Sequence, residues 1–343
     1  MVGYGLAGRL FHAPYIVAVE GLRIRAIATS HPDRRAQASS DHPDAAIVGS
    51  VDALVDQPDV EVVVVVTPNR SHAPIGTRAL AAGRHVVVDK PIAMTTAEAD
   101  ALVEAGERSG RILSVYQNRR WDGDFQTARR LVDDGALGAI DSLEARFERW
   151  SPVGSEWRET AEEAGGPHRD LGAHLVDQSL LLFGDAVRVF AQIDSRRPGS
   201  QVEDSTFMTI DHADGVRSRL WTSLIARRTG PRLRIRGLDG EYVKEDLDPQ
   251  EGQLLDGLRP TDPGFGEEPE QRWGRLEAAG SSTPIPTLRG DYRPYYELFR
   301  DAVRGFGPRP VDPADSVRGL RVLEAAERSA RTGAVETIGG GTP

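Results

Sequence analysis

The sequence predicts an α/β region followed by an α+β region: a parallel sheet over residues 1–118, then a mostly antiparallel, open-faced sheet over residues 119–343. Three observations carry that prediction. Up to Tyr116, short β-branched runs alternate with stretches of helical period, the pattern of repeated βαβ units. Gly3, Gly5 and Gly8 form a Gly-x-Gly-x-x-Gly directly ahead of a helical stretch. After Asn118 the rhythm changes, and Asp214-Gly215 and Asp239-Gly240 supply hairpin turns between longer runs.

In the first region the predicted strands are Leu22 to Thr29, Ala45 to Val48, Glu61 to Thr67, Arg84 to Val88 and Ile112 to Tyr116. Val62 to Val66 shows no polar alternation, so it should be covered on both faces. Helices are expected over Ala7 to Val19, His72 to Ala82 and Thr96 to Ser109, the last two closed by Gly83 and Gly110 as left-handed caps. Only Met1 and Val2 precede Gly3, so either the start is mis-set or the first strand is clipped, and in the second case weakened cofactor affinity or stability is expected. In the second region a helix near Asp124 to Val132 precedes strands around Leu143 to Trp150, Val187 to Asp194, Ser205 to His212, Val216 to Ile225 and Arg232 to Arg236. One long helix, Leu171 to Phe183, lies between the first two of these strands. Residues 247–294, rich in Pro, Gly and acids, read as a long surface or site-lining stretch. Helices Tyr295 to Val303 and Ala314 to Arg331 come last.

Composition narrows the function classes. With 42 basic against 52 acidic residues the net charge is −10, which repels nucleic-acid backbones and anionic membranes. The chain has no Cys, so disulfides, thiolate nucleophiles and Cys-ligated metals are excluded and a reducing compartment fits. No apolar run approaches the ~20 residues of a membrane helix, and no signal peptide is apparent, so a cytoplasmic location is expected. Among all the basic residues only Lys90 and Lys244 are lysine.

The glycines of Gly3-Tyr4-Gly5-Leu6-Ala7-Gly8 would let the backbone approach a pyrophosphate at a helix N-terminus. The second strand ends at Thr29-Ser30, where a carboxylate would hold the ribose of NAD, and no acid stands there. Ser30 with Arg34 and Arg35 suits a 2′-phosphate instead, which favours NADP, with NAD possible; the alternative is a solvated arginine face. Two later strands run into Thr67-Pro68-Asn69, with His72 beyond, and into Asp89-Lys90-Pro91, both at carboxyl ends where open α/β sheets place ligands. Lys90 is the compact, tunable cation in a chain that otherwise writes its bases as Arg. Pro91 favours an extended Lys90. Farther on, Asp170, His174 and Asp177 fall at i, i+4 and i+7, one face of a helix. A carboxylate beside an imidazole makes a general base near neutral pH; a plain surface pair, or a metal site using His168, Asp170 and His174, are the alternatives, and no metal is expected.

Together these segments resemble the Gfo/Idh/MocA oxidoreductases. Gly3 to Gly8, Thr67 to His72, an Asp89-Lys90-Pro91 version of that family's Glu-Lys-Pro, and Asp170 with His174 occur in the family's order and spacing. The run Asn118 to Phe125, the Gly237 and Gly252 region and Leu247 to Glu251 further resemble the branch of NADP-dependent scyllo-inositol 2-dehydrogenases. Departures are Asp89 for Glu, the short first strand, and Gly166-Pro167-His168-Arg169 where relatives carry a glycine-rich run ending in Tyr. The resemblance implies that Lys90 holds the substrate hydroxyl and steadies its alkoxide, that His174 takes the proton, and that Asp170 supports the imidazole. It implies substrate contacts from Asp122 and Asp177, and cofactor contacts from Gly3, Gly5, Leu6, Ala7, Gly8, Ser30, Arg34, Thr67, Pro68, Asn69, His72, Asp89, Lys90, Asn118, Trp157 and Arg158. The expected activity is hydride transfer between NADP and a cyclic polyol or sugar, an inositol first, by a homodimer or homotetramer. A ketosugar reductase of another pathway, or a catalytically silent dinucleotide-binding regulator, are the alternatives.

Overall fold

The computed structural model describes residues 1–151, 161–163 and 165–339. The chain forms two compact units, the first of Met1–Asn118, Gly252–Phe265 and Tyr292–Val317, the second of Arg119–Glu251, Gly266–Asp291 and Arg318–Pro343.

The first unit contains a parallel sheet. Its strands are β1 (Ala26–Ala28), β2 (Ala46–Val48), β3 (Val62–Val65), β4 (His85–Asp89) and β5 (Leu113–Tyr116), paired β1 with β2 and β3 with β4 and β5. Val2 bridges the two groups, parallel to both Ala28 and Val65. Its amide donates to Val64 O at 2.8 Å and its carbonyl accepts from Val66 N at 2.8 Å, while Met1 O accepts from Ala28 N at 2.9 Å. Two residues thus occupy the central position, with ladder bonds on both sides. Val63 and Val65 are fully buried and Val64 nearly so, as a strand without alternation requires.

Helices α1 (Ala13–Ala18), α2 (Pro32–Asp41), α3 (Val51–Val55), α4 (His72–Ala81) and α5 (Thr96–Ser109) connect the strands. Thr95 caps α5 by accepting from Glu98 N, and Gly110 ends it at φ 63°, a conformation that costs glycine nothing. The expected continuous helix from Ala7 is corrected: Gly8–His12 is a π-helical turn, with Ala13 N bonded back to Gly8 O, before α1 begins. From the C-terminal part of the chain α10 (Arg293–Val303) joins this unit, where Tyr292, Tyr295 and Tyr296 are buried. Tyr116 packs against Tyr295 and Tyr296 with ring centroids 4.7 and 5.5 Å away, and Tyr15 lies 5.2 Å from Tyr292.

The second unit is built on a nine-stranded sheet. In chain order its strands are β6 (Ile140–Glu148), β7 (Ala186–Asp194), β8 (Ser205–His212), β9 (Arg217–Ser223), β10 (Leu233–Gly237), β11 (Glu241–Lys244), β12 (Gly274–Ala278), β13 (Ser281–Ile285) and β14 (Glu336–Thr337). Their spatial order is β13-β12-β11-β10-β6-β9-β8-β7-β14. All neighbours are antiparallel except β6 and β9, which run parallel. Strict alternation in β8 sends Met208 and Ile210 inward to a core with Leu143, Phe147, Leu220, Ile235 and the helical residues Leu175, Val176 and Leu323. The opposite face stacks Phe207, Trp221 and the Arg146 guanidinium, which sits 3.9 Å from the Trp221 ring centre. Helices α6 (Gly123–Asp133), α7 (Pro167–Asp170) and α8 (Gly172–Phe183) complete the region before β7.

Two expectations are corrected here. Residues 247–294 contain α9 (Gln250–Leu255) and the hairpin β12–β13; β13 is almost wholly exposed, so no alternation marked it. Asp170 also lies outside the helix of His174 and Asp177. His174 N donates to Leu171 O at 3.2 Å, a tightened turn at the junction carrying Gly172, a weak helix former. The last helix is α11 (Pro313–Thr332).

Candidate active site

In the first unit the three glycines do different work. Gly3 has φ 97°, and a Cβ there would lie 2.0 Å from Val66 O, so only glycine makes this turn. At Gly8 a Cβ would meet Gly3 O at 2.8 Å, which makes it the close contact between strand end and helix. Gly5 is different: the nearest atom to its Cβ position is Arg34 Nη1, at 3.7 Å. That leaves room for a ligand to approach the backbone, with a guanidinium alongside. Leu6 is half exposed, and Ala7 continues into the π-helical turn. Ser30 and Arg34 are exposed, while Arg35 Nη1 donates to Thr29 O at 3.5 Å. Arg34 is therefore the arginine placed by the glycine turn. These residues fit a dinucleotide, with the backbone from Gly5 to Ala7 open to its pyrophosphate.

The ends of β3 and β4 are held together by His72, which is 1% exposed. Its Nε2 lies 2.8 Å from Thr67 O and its Nδ1 2.7 Å from Pro91 O. Ser71 Oγ adds bonds to Thr67 Oγ1 and Pro68 O, and Asn69 is buried beneath the turn. Asp89 turns back to accept from the Lys90 amide at 2.8 Å, and its other oxygen lies 3.6 Å from His12 Nε2. Burial pushes the Asp89 carboxyl up, but the His12 ring and the Lys90 charge outweigh it, leaving the group below its ordinary value. Lys90 is partly exposed, and the Lys90–Pro91 bond is cis. Asn118, buried, ends this part of the unit.

In the second unit Asp170 is partly exposed, while His174 and Asp177 are each 5% exposed. Asp177 binds Arg120 through both oxygens, at 2.6 and 2.8 Å. Asp122 is fully buried and lies 3.3 Å from Arg119; Arg119 also meets Glu251 at 2.5 Å. Gln178 joins these groups to Arg232, accepting from Arg232 Nη2 at 2.8 Å and donating to Arg119 O at 3.0 Å. Burial lowers Arg232, whose guanidinium lies 4.3 Å from the Phe147 ring centre and 3.2 Å from Asp124. Phe147 in turn stands 6.1 Å from the His174 ring. Asp248 accepts from Gly123 N and Gln250 N and is pushed up to about 6 by burial and the neighbouring Asp124.

Trp157 and Arg158 lie outside the described residues. Among the described residues no group of three or more potential ligands is placed to hold a metal, and no helix is long and apolar enough to cross a membrane. Sequence reasoning missed His12, Tyr296 and Arg232, and placed Arg120 only within the run Asn118 to Phe125. Only His12 left a signal, a polar residue on the apolar side of its helix.

A parallel sheet with a glycine turn at its central strand is a dinucleotide-binding architecture, and the chain adds to it a second, mostly antiparallel sheet. Residues 1–117 match the oxidoreductase family with NAD-binding Rossmann fold, and residues 125–243 match the GFO/IDH/MocA C-terminal domain. The chain belongs to the Gfo/Idh/MocA oxidoreductase family. It is 33% identical to the scyllo-inositol 2-dehydrogenase (NADP(+)) IolW of Bacillus subtilis, over 96% of this chain and 93% of that protein. A solved structure from Klebsiella pneumoniae is 36% identical with TM-score 0.89, over 98% of this chain and 93% of that one. An oxidoreductase structure from Bacillus cereus is 25% identical with TM-score 0.90, over 100% and 98%.

Proposed function

We propose that this protein is an NADP-dependent dehydrogenase or reductase acting on a secondary alcohol or ketone of a cyclic polyol, with scyllo-inositol the first candidate. The observation that carries the reading is Lys90, one of two lysines in the chain, with its amide fixed by Asp89 at the carboxyl end of β4. The Bacillus subtilis relative supports the choice of polyol and of NADP, and Arg34 beside Gly5 supports NADP independently.

Oxidation of such an alcohol removes the O–H proton as hydride leaves carbon. Nicotinamide, when bound, accepts that hydride or returns it in reduction. Lys90 would hold the substrate oxygen and lower the cost of its developing negative charge. His174 would accept the proton, with Asp170 supporting the imidazole, and Asp177 and Asp122 would select hydroxyls. A homodimer or homotetramer belongs to the same reading and is checked by light scattering. The decisive experiment is a panel of inositols, aldoses and ketosugars followed by NADPH absorbance. Turnover of one polyol is expected, with kcat reduced about 100-fold or more in Lys90→Ala and His174→Ala while NADPH fluorescence still reports binding. Binding without turnover across the panel would overturn the enzymatic reading in favour of a regulator.

A further inference from the structure

One buried polar chain of the first unit has no part in the chemistry proposed for Lys90 and His174. His12 is fully buried, at the end of the π-helical turn Gly8–His12. A π turn adds a residue to a helical turn and rotates the helix beyond it, and such turns recur where a side chain must be aimed. Here the ring is aimed between two partners. Nδ1 lies 2.6 Å from the Tyr296 hydroxyl, and Nε2 faces Asp89 Oδ2 at 3.6 Å, an electrostatic contact longer than a hydrogen bond. The ring also packs against Tyr116, centroids 4.1 Å apart and planes inclined by 38°. The remaining Asp89 oxygen accepts from the Lys90 amide. A short Asp can fold back on its own succeeding amide in this way, and that leaves its outer oxygen for His12.

We propose that His12 is a positioning residue for Lys90: backed by the Tyr296 hydroxyl, it holds the Asp89 carboxylate in the orientation that fixes the Lys90 backbone. The inference rests on the reading of Lys90 as the group that meets substrate. The carboxylate must stay ionised to hold both partners, and the net lowering of Asp89 beside His12 agrees with that. His72 acts on the same turn from the other side through Pro91 O, so Lys90 is carried on a backbone clamped at both flanks.

The test reads Lys90 itself, without needing the substrate. Lys244 is fully buried, so trinitrobenzenesulfonate labelling at fixed pH, localised by mass spectrometry, reports the accessibility and reactivity of Lys90. His12→Leu, which keeps bulk without hydrogen bonds, is expected to change the Lys90 labelling rate at least fivefold. His12→Gln, whose amide nitrogen can replace Nε2, should recover most of the wild-type rate. Tyr296→Phe, which deletes one hydroxyl, should shift the rate in the same direction as His12→Leu by a smaller factor and guards against simple misfolding. On whichever substrate the panel identifies, kcat should fall about tenfold in His12→Leu with the dinucleotide KM unchanged. Unchanged Lys90 labelling in His12→Leu and Tyr296→Phe, in protein that still binds NADPH, overturns the proposal. A panel without turnover overturns the reading of Lys90 as the group that meets substrate and leaves the labelling result standing as a test of the clamp.

Discussion

Arg34 reaches the open side of the glycine turn while its neighbour Arg35 donates to the Thr29 carbonyl. Removing Arg34 should therefore weaken NADP binding about 10- to 100-fold and leave NAD binding nearly untouched, measured as the ratio of fluorescence dissociation constants; equal losses for both would refute a 2′-phosphate contact. The other lysine of the chain is explained by burial rather than chemistry. Lys244 is fully enclosed, 2.9 Å from Glu268 and 2.9 Å from Arg272 O. Cutting the pair on one side leaves the buried Glu268 carboxylate to the longer contact with Arg272 Nε at 3.7 Å, so Lys244→Met should cost about 3 kcal/mol in urea denaturation, and Lys244→Met with Glu268→Leu should regain most of it. Scarcity set both lysines apart in the sequence and the strand end at Asp89-Lys90-Pro91 marked Lys90 there, whereas only burial identifies Lys244 as a structural lysine.

At the scale of elements, α7 carries a pH response. Burial holds His168 down at about 4 from 6.5, with Glu327 3.8 Å away, Arg169 on that same carboxylate and Glu203 on the His168 amide. The unfolded chain binds a proton between those values that the folded chain refuses. Its contribution is complete above pH 6.5 and is lost as pH falls toward 4, a swing of about 3 kcal/mol. Asp248, raised to about 6 from 3.8, runs oppositely over nearly the same window, and the raised Glu203 has the same sign as Asp248. His168→Gln should therefore gain stability relative to wild type as pH drops from 6.5 to 4.5, read from urea midpoints; parallel profiles would show that His168 is not the titrating group.

The same scale shows what the sequence could reveal. Strands with uniform or alternating apolar residues, β3 and β8, were legible because burial imposes their pattern. β13 was not, being exposed along almost its whole length. The π turn at Gly8–His12 was hidden because its residues also satisfy an ordinary helical period. At the candidate site residue type and spacing pointed to Lys90 and His174, whereas the contacts of Arg120, Arg232 and Tyr296 are made with partners far away in the chain.

For the whole molecule, the boundary after Asn118 coincides with the change of rhythm in the sequence, but the return of Gly252–Phe265 and Tyr292–Val317 to the first unit left no local trace. Their membership is a matter of packing, with Tyr15, Tyr116 and Phe265 meeting Tyr292, Tyr295 and Tyr296 or one another through ring contacts. Family membership and the second sheet arise from long stretches of pattern; the exchange of segments arises from a few aromatic rings.

That exchange sets an order of assembly during translation. A ribosome releases the dinucleotide-binding strands first, yet the tyrosines that cover Tyr15 and Tyr116 emerge about two hundred residues later in the growing chain, after β6 through β13 have already left the exit tunnel. The unit begun first therefore cannot close until a stretch that follows most of the second sheet has been made, and until then Tyr15 and Tyr116 lack the rings that cover them.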